Sequence, residues 1–426
     1  MSTNQTATNV PKLRFPGFEG EWGQKALGEV AKIQRGRFSP RPRNNPIYYG
    51  GNIPFVQTSD VVTSKGRIRN YTQTLNEKGL AVSKLFPEGT ILITIAANIG
   101  FTGVLEIPMA CPDSLVGISC HKDHSNDFIN YLLQREQPKM DYGAVEAAQK
   151  NINIAFLDPY PLVVPATKSE QQKIAAFLTA VDGRIEQLSR KKALLEATKK
   201  GVMQQLFTQT LRFQDDHGHD FPDWEEKSFE SIYTFKNTNS LSRDQLTYEA
   251  GEVRNIHYGD IHTKFRSLFR LPEERVPFIN SDVSVSKIAD DCYCRPGDLV
   301  IADVSEDYAD VGKCIEIMDL NGEKTVAGLH TFIARPKQGQ MAPGFGAYLM
   351  QSRAVRHRIM IIAQGTKVLG ISKPQLSKLK LLLPHRDEQT TIAGFLSALD
   401  GKIRAVGEQM RQTQAWKKGL LQRLFV

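Results

Sequence analysis

Cysteine is scarce in this sequence, and long apolar runs are missing. The five cysteines are Cys111, Cys120, Cys292, Cys294 and Cys314. Their small number and irregular spacing exclude a disulfide framework for a chain of 426 residues. No apolar run reaches the roughly 20 residues that a membrane-spanning helix needs, and the chain opens with the polar stretch MSTNQTATNV. We therefore expect a soluble cytoplasmic protein whose residues 1–12 form a disordered leader.

Signatures of phosphate and cofactor binding are also absent. The sequence has no Walker A loop and no G-x-G-x-x-G turn after a strand. The segment Leu157-Asp-Pro-Tyr160 resembles a methyltransferase signature, but no glycine-rich cofactor loop precedes it, so a turn is the better interpretation. Cys120, His121 and His124 lack the second ligand pair that zinc usually requires. We expect no catalytic residue and no metal site.

One long stretch of the chain occurs twice. Residues 169–207 align without a gap with residues 387–425, and 17 of the 38 positions from Glu170 onward are identical. In both copies apolar residues recur four and three positions apart alternately, which is the a/d pattern of a coiled coil. The first seam comprises Ile174, Leu178, Val181, Ile185, Leu188, Leu195, Val202 and Leu206. The second comprises Ile392, Leu396, Leu399, Ile403, Val406, Met410, Leu420 and Leu424.

A seam of about five heptads must be covered, and the other copy is the obvious partner. Lys199 and Lys417 interrupt the two seams at matching positions, where a polar residue can fix the register of a coiled coil. Ser169 and Asp387 stand where helix N-caps belong, and Ser169 forms a capping box with Gln172.

The repeated helices divide the chain into parts. We expect a mixed α/β globule over residues 13–164, a helix over 165–208, a second globule over 209–383 and a helix over 384–426. The globules echo each other only faintly; for example, Trp22 recurs as Trp224. Two matched helices carrying two divergent globules would present two different recognition surfaces.

Charge and loop composition indicate a polyanionic partner. The formal net charge is +8 and the isoelectric point is about 9.1. Loops of the first globule interleave basic, aromatic and amide side chains, which suits phosphate and base contacts. Its candidate DNA-binding residues are Arg35, Arg37, Arg41, Tyr48, Tyr49, Gln57, Thr58, Ser59, Lys150 and Asn151. Those of the second globule are Arg254, Asn255, His257, Tyr258 and Lys367, with the segment 365–367 matched to 149–151 in chain order.

The sequence resembles the specificity subunit of type I restriction-modification systems over nearly its whole length. The motifs are Leu13-Arg-Phe-Pro16 with Trp22, Gly50–Val56 before Asp60, Ala147–Ile152, and the Pro165/Glu170-Gln171 and Pro384/Glu388-Gln389 blocks. The repeated proline, Glu-Gln and helix block is specific, whereas the globule motifs are degenerate. The second globule departs from the pattern at Arg254–Asp260, so its base contacts cannot be copied from the first.

The resemblance implies an α+β fold in which two mixed α/β target-recognition domains are separated by two long helices. These helices would form an antiparallel coiled coil, and the whole would be a pseudo-twofold repeat. Each domain would read one half of a bipartite, asymmetric site in double-stranded DNA, while the helices set the spacer and dock two modification subunits. The chain itself would bind no cofactor and have no activity alone. S-adenosylmethionine would bind the modification subunits, and motor/endonuclease subunits would use ATP and Mg²⁺.

Two other classes of function stay open at this point. A solitary methyltransferase or nuclease with an unrecognised site would bind its cofactor as an isolated chain. A coiled-coil adaptor would show no salt-dependent binding to DNA, although the basic balance and the Arg/Tyr loops argue against that interpretation.

Overall fold

The computed structural model describes residues 9–146 and 151–426. It divides into two compact units: the first combines residues 1–189 and 408–426, and the second is residues 190–407. Each unit holds one mixed α/β globule together with a stretch of both long helices. Residues 1–8 of the expected leader lie outside the described part of the chain. Of the rest, Asn9 accepts a hydrogen bond from the Trp22 amide (2.7 Å), and Pro11 is buried.

Among its described residues, the first globule has eleven strands and five short or medium helices before the first long helix. The strands are β1 (Gly23–Ala26), β2 (Ala31–Arg35), β3 (Tyr49–Phe55), β4 (Arg67–Ile68), β5 (Gln73–Leu75), β6 (Lys84–Phe86), β7 (Ile91–Thr94), β8 (Thr102–Leu105), β9 (Met109–Cys111), β10 (Leu115–Cys120) and β11 (Pro161–Val164). The helices are α1 (Leu27–Val30), α2 (Thr58–Thr63), α3 (Glu77–Ala81), α4 (Asn126–Glu146), α5 (Ile154–Leu157) and the long α6 (Lys168–Phe207). A 3₁₀ turn spans Pro46–Tyr48.

The strands of the first globule form a five-stranded sheet in the order β2-β10-β7-β8-β4 and a four-stranded sheet in the order β5-β3-β9-β6. The central strands β7 and β8 are buried at every residue, as expected for strands that are covered on both faces. Phe128 and Leu132 of α4 pack in the same core as Ile174 and Leu178 of α6. The start of α6 is therefore part of the first hydrophobic core.

The second globule repeats this plan. Its strands are β12 (Glu225–Ser228), β13 (Tyr233–Lys236), β14 (Leu246–Thr247), β15 (Arg254–Ile256), β16 (Leu268–Arg270), β17 (Phe278–Ile279), β18 (Leu299–Ala302), β19 (Val304–Ser305), β20 (Cys314–Asp319), β21 (Thr325–Ala327), β22 (Thr331–Pro336), β23 (Leu369–Gly370) and β24 (Lys380–Leu383). Its helices are α7 (Phe229–Ile232), α8 (Tyr258–Thr263), α9 (Phe345–Gln351), α10 (Arg353–Ile362), α11 (Lys373–Ser377) and the long α12 (Arg386–Leu424). Further 3₁₀ turns span Arg243–Gln245, Leu271–Glu273 and Asp290–Cys292.

Strand order shows that the two globules share one topology in the five-stranded sheet and in three strands of the four-stranded sheet, where β5-β3-β9 matches β17-β15-β21. The second globule has a five-stranded sheet in the order β13-β22-β18-β20-β16 and a four-stranded sheet in the order β14-β17-β15-β21. A left-handed glycine begins the turn into each central strand, Gly89 (φ 81°) before β7 and Gly297 (φ 91°) before β18. Only glycine adopts this backbone conformation without strain. The faint internal repeat of the sequence is therefore a repeat of fold.

The long helices pair through the seam that the heptad pattern predicts. Every expected seam residue is buried or half-buried. In the second unit the pairing is antiparallel. Lys199 Nζ lies 2.6 Å from Asp400 Oδ1. Lys192 lies seven residues before Lys199 on α6, and it faces Gly407, which lies seven residues after Asp400 on α12. A Cβ on Gly407 would lie 3.7 Å from Lys192 Cε. The fold class implied by the resemblance is confirmed.

The two interrupting lysines each complete a polar triad with a carboxylate and a tyrosine. Asp400 accepts a hydrogen bond from the buried Tyr348 hydroxyl (2.7 Å), and the Lys199 ammonium lies 5.2 Å from the centroid of that tyrosine ring. The first unit repeats the arrangement with the triad Lys417, Asp182 and Tyr131, at the same three distances. Each lysine that was expected to fix the register therefore has a specific carboxylate partner and a specific tyrosine partner.

A buried glutamate ties the start of each long helix to its globule. Arg14 donates to both oxygens of Glu170 (2.8 and 2.9 Å), and the Trp22 indole N–H adds a third hydrogen bond at 3.3 Å. In the second unit, Glu388 accepts in the same way from Arg212 and Trp224. The arginine of each Leu-Arg-Phe motif and the tryptophan that follows it therefore satisfy one buried charge in each unit.

The predicted N-caps are both two residues too late. The first long helix begins at Lys168, so Ser169 lies inside its first turn, and the Thr167 hydroxyl accepts the Glu170 amide instead at 3.4 Å. Helix α12 begins at Arg386, which places Asp387 in its first turn. Thr is also a favoured capping residue, although weaker than Ser, so the sequence alone pointed to Ser169 rather than Thr167.

Removing one of these glutamates should cost far more than removing an exposed one. We expect Glu170→Ala to lower the free energy of unfolding by about 3 kcal/mol, because it leaves the Arg14 guanidinium and the Trp22 N–H without their acceptor. The matched control is Glu186→Ala, whose partner Arg69 is half-exposed and whose own side chain is 65% exposed, so its cost should be too small to resolve. Urea unfolding of the two variants measures both effects. Equal costs would contradict the assignment.

Candidate nucleic-acid interface

Two parallel strands bring polar side chains together at one edge of the first globule. Strands β3 and β9 run parallel, with Phe55 opposite Ala110. Their carboxyl ends therefore meet, and the residues that follow them become neighbours. Thr58, which follows β3, has its hydroxyl 3.3 Å from that of Ser114, which follows β9. We call this place the first strand-end site.

Two guanidinium groups converge on Asp113 at the first strand-end site. Arg43 Nη2 donates to both carboxylate oxygens of Asp113, at 2.7 and 3.0 Å. Arg35 Nε donates to the Asp113 backbone carbonyl at 2.7 Å. Gln57 is oriented by a hydrogen bond from its amide to Gln73 (3.1 Å). Amide, hydroxyl and guanidinium groups at one edge can donate to and accept from base edges.

The remaining residues predicted in the first globule mainly hold the loops in place. Arg37 donates to the carbonyl of Ser83 (2.9 Å), and Arg41 donates to the carbonyl of Pro40 within its own loop (2.9 Å). Their guanidinium groups are exposed at the surface and can still meet phosphates. Ser59 is exposed at the start of α2, beside Thr58.

The two tyrosines predicted to bind DNA in the first globule pack against its interior. Tyr48 and Tyr49 lie 6.1 and 5.8 Å from the ring of buried Phe38. The Tyr49 hydroxyl donates to the Arg43 carbonyl at 2.6 Å, and burial raises the pKa of Tyr49. These rings thus support the loop that carries Arg43.

The second globule has an equivalent strand-end site with different chemistry. Strands β15 and β21 are parallel, with Asn255 opposite Val326. The Tyr258 ring lies 4.6 Å from the His257 ring and 5.4 Å from the His330 ring. We call this aromatic group the second strand-end site.

The charged groups next to the second strand-end site form ion pairs with one another. Arg243 binds both oxygens of buried Asp260 (2.8 and 3.0 Å), and Lys264 adds a contact at 2.8 Å. Burial raises the pKa of Asp260, but the hydrogen bonds from Arg243 and Lys264 outweigh it and hold the pKa below its usual range. Burial and the Arg243 charge lower the pKa of His257, so that imidazole is neutral at neutral pH. The His257 ring at this edge is therefore neutral.

Strand register shows which residues of the two sites are equivalent. Gln57 and His257 lie two residues after the paired positions of β3 and β15, which are Phe55 and Asn255. Thr58 and Tyr258 follow them. Ser114 and His330 lie four residues after the paired positions of β9 and β21, which are Ala110 and Val326. The same backbone geometry thus carries different side chains in the two units.

Two other predicted residues are held by partners within the second globule. Asn255 is fully buried and accepts from Asn239 at 2.7 Å. Arg254 donates to Glu323 (2.8 Å) and stacks 3.5 Å over the Phe278 ring. Lys150 lies outside the described residues.

The predicted match between residues 149–151 and 365–367 is wrong by three positions. Asn151 pairs with Ala96, whereas Gly370 pairs with Val304, and these partners follow the equivalent strands β7 and β18. Asn151 therefore corresponds to Gly370, and Lys367 lies in an exposed loop before it. Chain order alone could not count the intervening residues.

Sequence reasoning missed Asp113, Ser114, Arg243 and His330. Ser114 and His330 reach Thr58 and Tyr258 through the parallel pairing of short strands. Asp113 joins Arg35 and Arg43, 78 and 70 residues earlier, and Arg243 joins Asp260, 17 residues later. It also missed Lys84, which lies near Lys32 and Arg37. Burial first, then the positive charges of Lys32 and Arg37, lower the pKa of Lys84. Such a cluster of cations suits a phosphate.

Within residues 9–146 and 151–426, no group of three or more His, Cys, Asp or Glu side chains is arranged to hold a metal ion. No helix of that described part is long and apolar enough to cross a membrane. His124, one of the residues weighed as a zinc ligand, lies 3.1 Å from the Gln171 amide.

Known proteins resemble this chain along nearly its whole length. The family model for the type I restriction modification DNA specificity domain matches twice, at residues 19–197 and 222–411. The putative type I restriction enzyme MjaX specificity subunit of Methanocaldococcus jannaschii is 22% identical, over 98% of this chain and 96% of its own. The MjaIX specificity subunit of the same organism is 24% identical, over 63% of this chain; this chain spans only 57% of that relative.

Solved structures agree on the fold. A type I restriction-modification S subunit from M. genitalium superposes with a TM-score of 0.59 at 14% identity, covering 98% of this chain and 99% of that one. A chain from a structure on complex assembly and conformational transition of the type I R-M system gives a TM-score of 0.54 at 17% identity, covering 97% and 98%. Because the family model covers most of the sequence in two matched copies, this chain belongs to the family of type I restriction-modification DNA specificity subunits.

Proposed function

We propose that this chain is the DNA-recognition subunit of a type I restriction-modification complex and that its two globules read the two halves of one asymmetric site. The observation that carries the proposal is the pair of strand-end sites. They have equivalent backbones and different side chains, Thr58 with Ser114 in one unit and Tyr258 with His330 in the other. Readers of the same geometry but different chemistry select different bases.

The proposal assigns each remaining part of the chain a role. Residues 13–164 and 209–383 are the two target-recognition domains, and residues 165–208 and 384–426 are the helices that set the unread spacer. Two modification subunits dock on the chain and supply S-adenosylmethionine, while motor/endonuclease subunits use ATP with Mg²⁺. The chain alone has no catalytic activity. Its substrate, cellular DNA, places the complex in the cytoplasm.

Substitution at one strand-end site should relax one half-site only. Gln57→Ala and Ser114→Ala should each cost about 1–3 kcal/mol of discrimination in the first half-site, and Tyr258→Ala and His330→Ala should do so in the second. The complex with modification subunits is expressed in cells, and methylated adenines are mapped by sequencing. The matched controls are Gln24→Ala and His219→Ala, which alter exposed residues away from the two sites. The two-reader proposal fails if both groups of substitutions relax the same half.

Binding should also depend steeply on salt. Contacts between cations and phosphates release counterions, so log K should fall against log salt by about 0.9 for each contact. Lys84→Gln should reduce the slope by about one such contact without changing the bases selected, whereas the exposed helix residue Lys191 offers a control of equal charge. The measurement is a titration of DNA with the modification subunits present. A flat response would favour a protein-interaction adaptor instead.

A further inference from the structure

Arg35 and Asn237 occupy the same place in the two globules. Arg35 ends β2, and Asn237 directly follows β13. The amide two residues beyond Arg35 donates to the last residue of β9 (3.1 Å), and the amide two residues beyond Asn237 donates to the last residue of β21 (3.0 Å). Because β9 and β21 lead into the two strand-end sites, both side chains stand beside those sites.

The guanidinium of Arg35 is held by one nitrogen. Nε donates to the Asp113 carbonyl at 2.7 Å, and it is the single nitrogen of this guanidinium with a hydrogen bond inside the described part of the chain. Asp113 is itself held by two hydrogen bonds from Arg43. The terminal pair, Nη1 and Nη2, remains as a planar fork on an exposed side chain. Such a fork matches the O6 and N7 acceptors that guanine presents in the major groove.

The side chain at the equivalent position of the second unit is an amide. Asn237 is exposed. Its carbonyl oxygen accepts and its NH₂ donates, which is the pattern that matches N6 and N7 of adenine. Arg243, the guanidinium nearest the second strand-end site, cannot replace a fork, because both of its terminal nitrogens are bound to Asp260.

We infer that Arg35 reads a guanine in the first half-site and that Asn237 reads an adenine at the equivalent position of the second. The inference rests on the proposed function and names the side chains that make the two halves differ at one matched base pair. Arg43 and Asp113 then act as positioning residues that fix the Arg35 fork through the Asp113 carbonyl.

Exchanging the two side chains tests the inference. The full chain, assembled with its modification subunits, is titrated with duplexes in which each base pair of the site is changed singly. R35N should abolish discrimination at one G·C pair of the first half-site, a loss of roughly 5- to 150-fold, and favour A·T there. N237R should shift the matched pair of the second half-site from A·T to G·C. R35K, which keeps the charge without the fork, should lose the same discrimination while keeping non-specific affinity.

Controls separate this inference from the proposed function. Arg41→Asn removes the same charge from a guanidinium bonded to its own loop, and it should weaken binding without changing any base preference. If R35N leaves every preference of the first half-site unchanged while Gln57→Ala still relaxes that half, the inference is overturned and the two-reader function stands. If neither substitution alters any preference, both are overturned. Both exchanged residues are exposed, so thermal unfolding should show variants as stable as the parent chain.

Discussion

The polar triads on the helical seam are the constraint on which the arrangement of each unit depends. An apolar heptad seam is nearly indifferent to a slip of one heptad, because apolar residues again meet apolar residues. A slip would place Lys199 opposite Ala393 or Gly407 rather than Asp400, leaving a mostly buried ammonium without its carboxylate. The tyrosine of each triad extends the constraint into the globule, since Tyr348 and Tyr131 belong to the two hydrophobic cores. These contacts add little to the net stability of the correct pairing, but their loss raises the free energy of the slipped pairing.

Because the helices and the clamped glutamates fix each unit, the side chains that follow the parallel strands can differ between the two units. Glu170 and Glu388 each accept hydrogen bonds from an arginine and a tryptophan, so they have the same structural role in the two units. Residues that follow the parallel strands contribute no ladder hydrogen bonds, so their side chains can change without cost to the sheet. Thr58 and Ser114 in one unit can therefore become Tyr258 and His330 in the other.

The sequence predicted what is periodic or local and failed where distant segments meet. The seam, its lysines and the two globules follow from spacing, and Gln57, Thr58, His257 and Tyr258 follow from polar residues at a strand end. Ser114 escaped because it joins Thr58 only through the parallel pairing of β3 with β9, which no local pattern reveals. Tyr49 and Asn255 look like surface residues in sequence, yet one packs on Phe38 and the other is fully buried. Burial of a polar side chain depends on the partner that satisfies it, and that partner is not its neighbour in the chain.

The two strand-end sites differ in electrostatics as well as in shape. At the first, Arg35 and Arg43 bring two positive charges to Asp113, and the terminal nitrogens of the exposed Arg35 guanidinium make no hydrogen bond within the described part of the chain. At the second, the positive charges of Arg243 and Lys264 are drawn onto buried Asp260, and His257 is kept neutral by burial and by Arg243. The rings of His257, Tyr258 and His330 are left to make apolar and hydrogen-bonding contacts. One topology, used twice, thus presents an exposed guanidinium fork at one edge and aromatic rings at the other. This difference in side chains is what the proposed recognition of an asymmetric sequence by a symmetric scaffold requires.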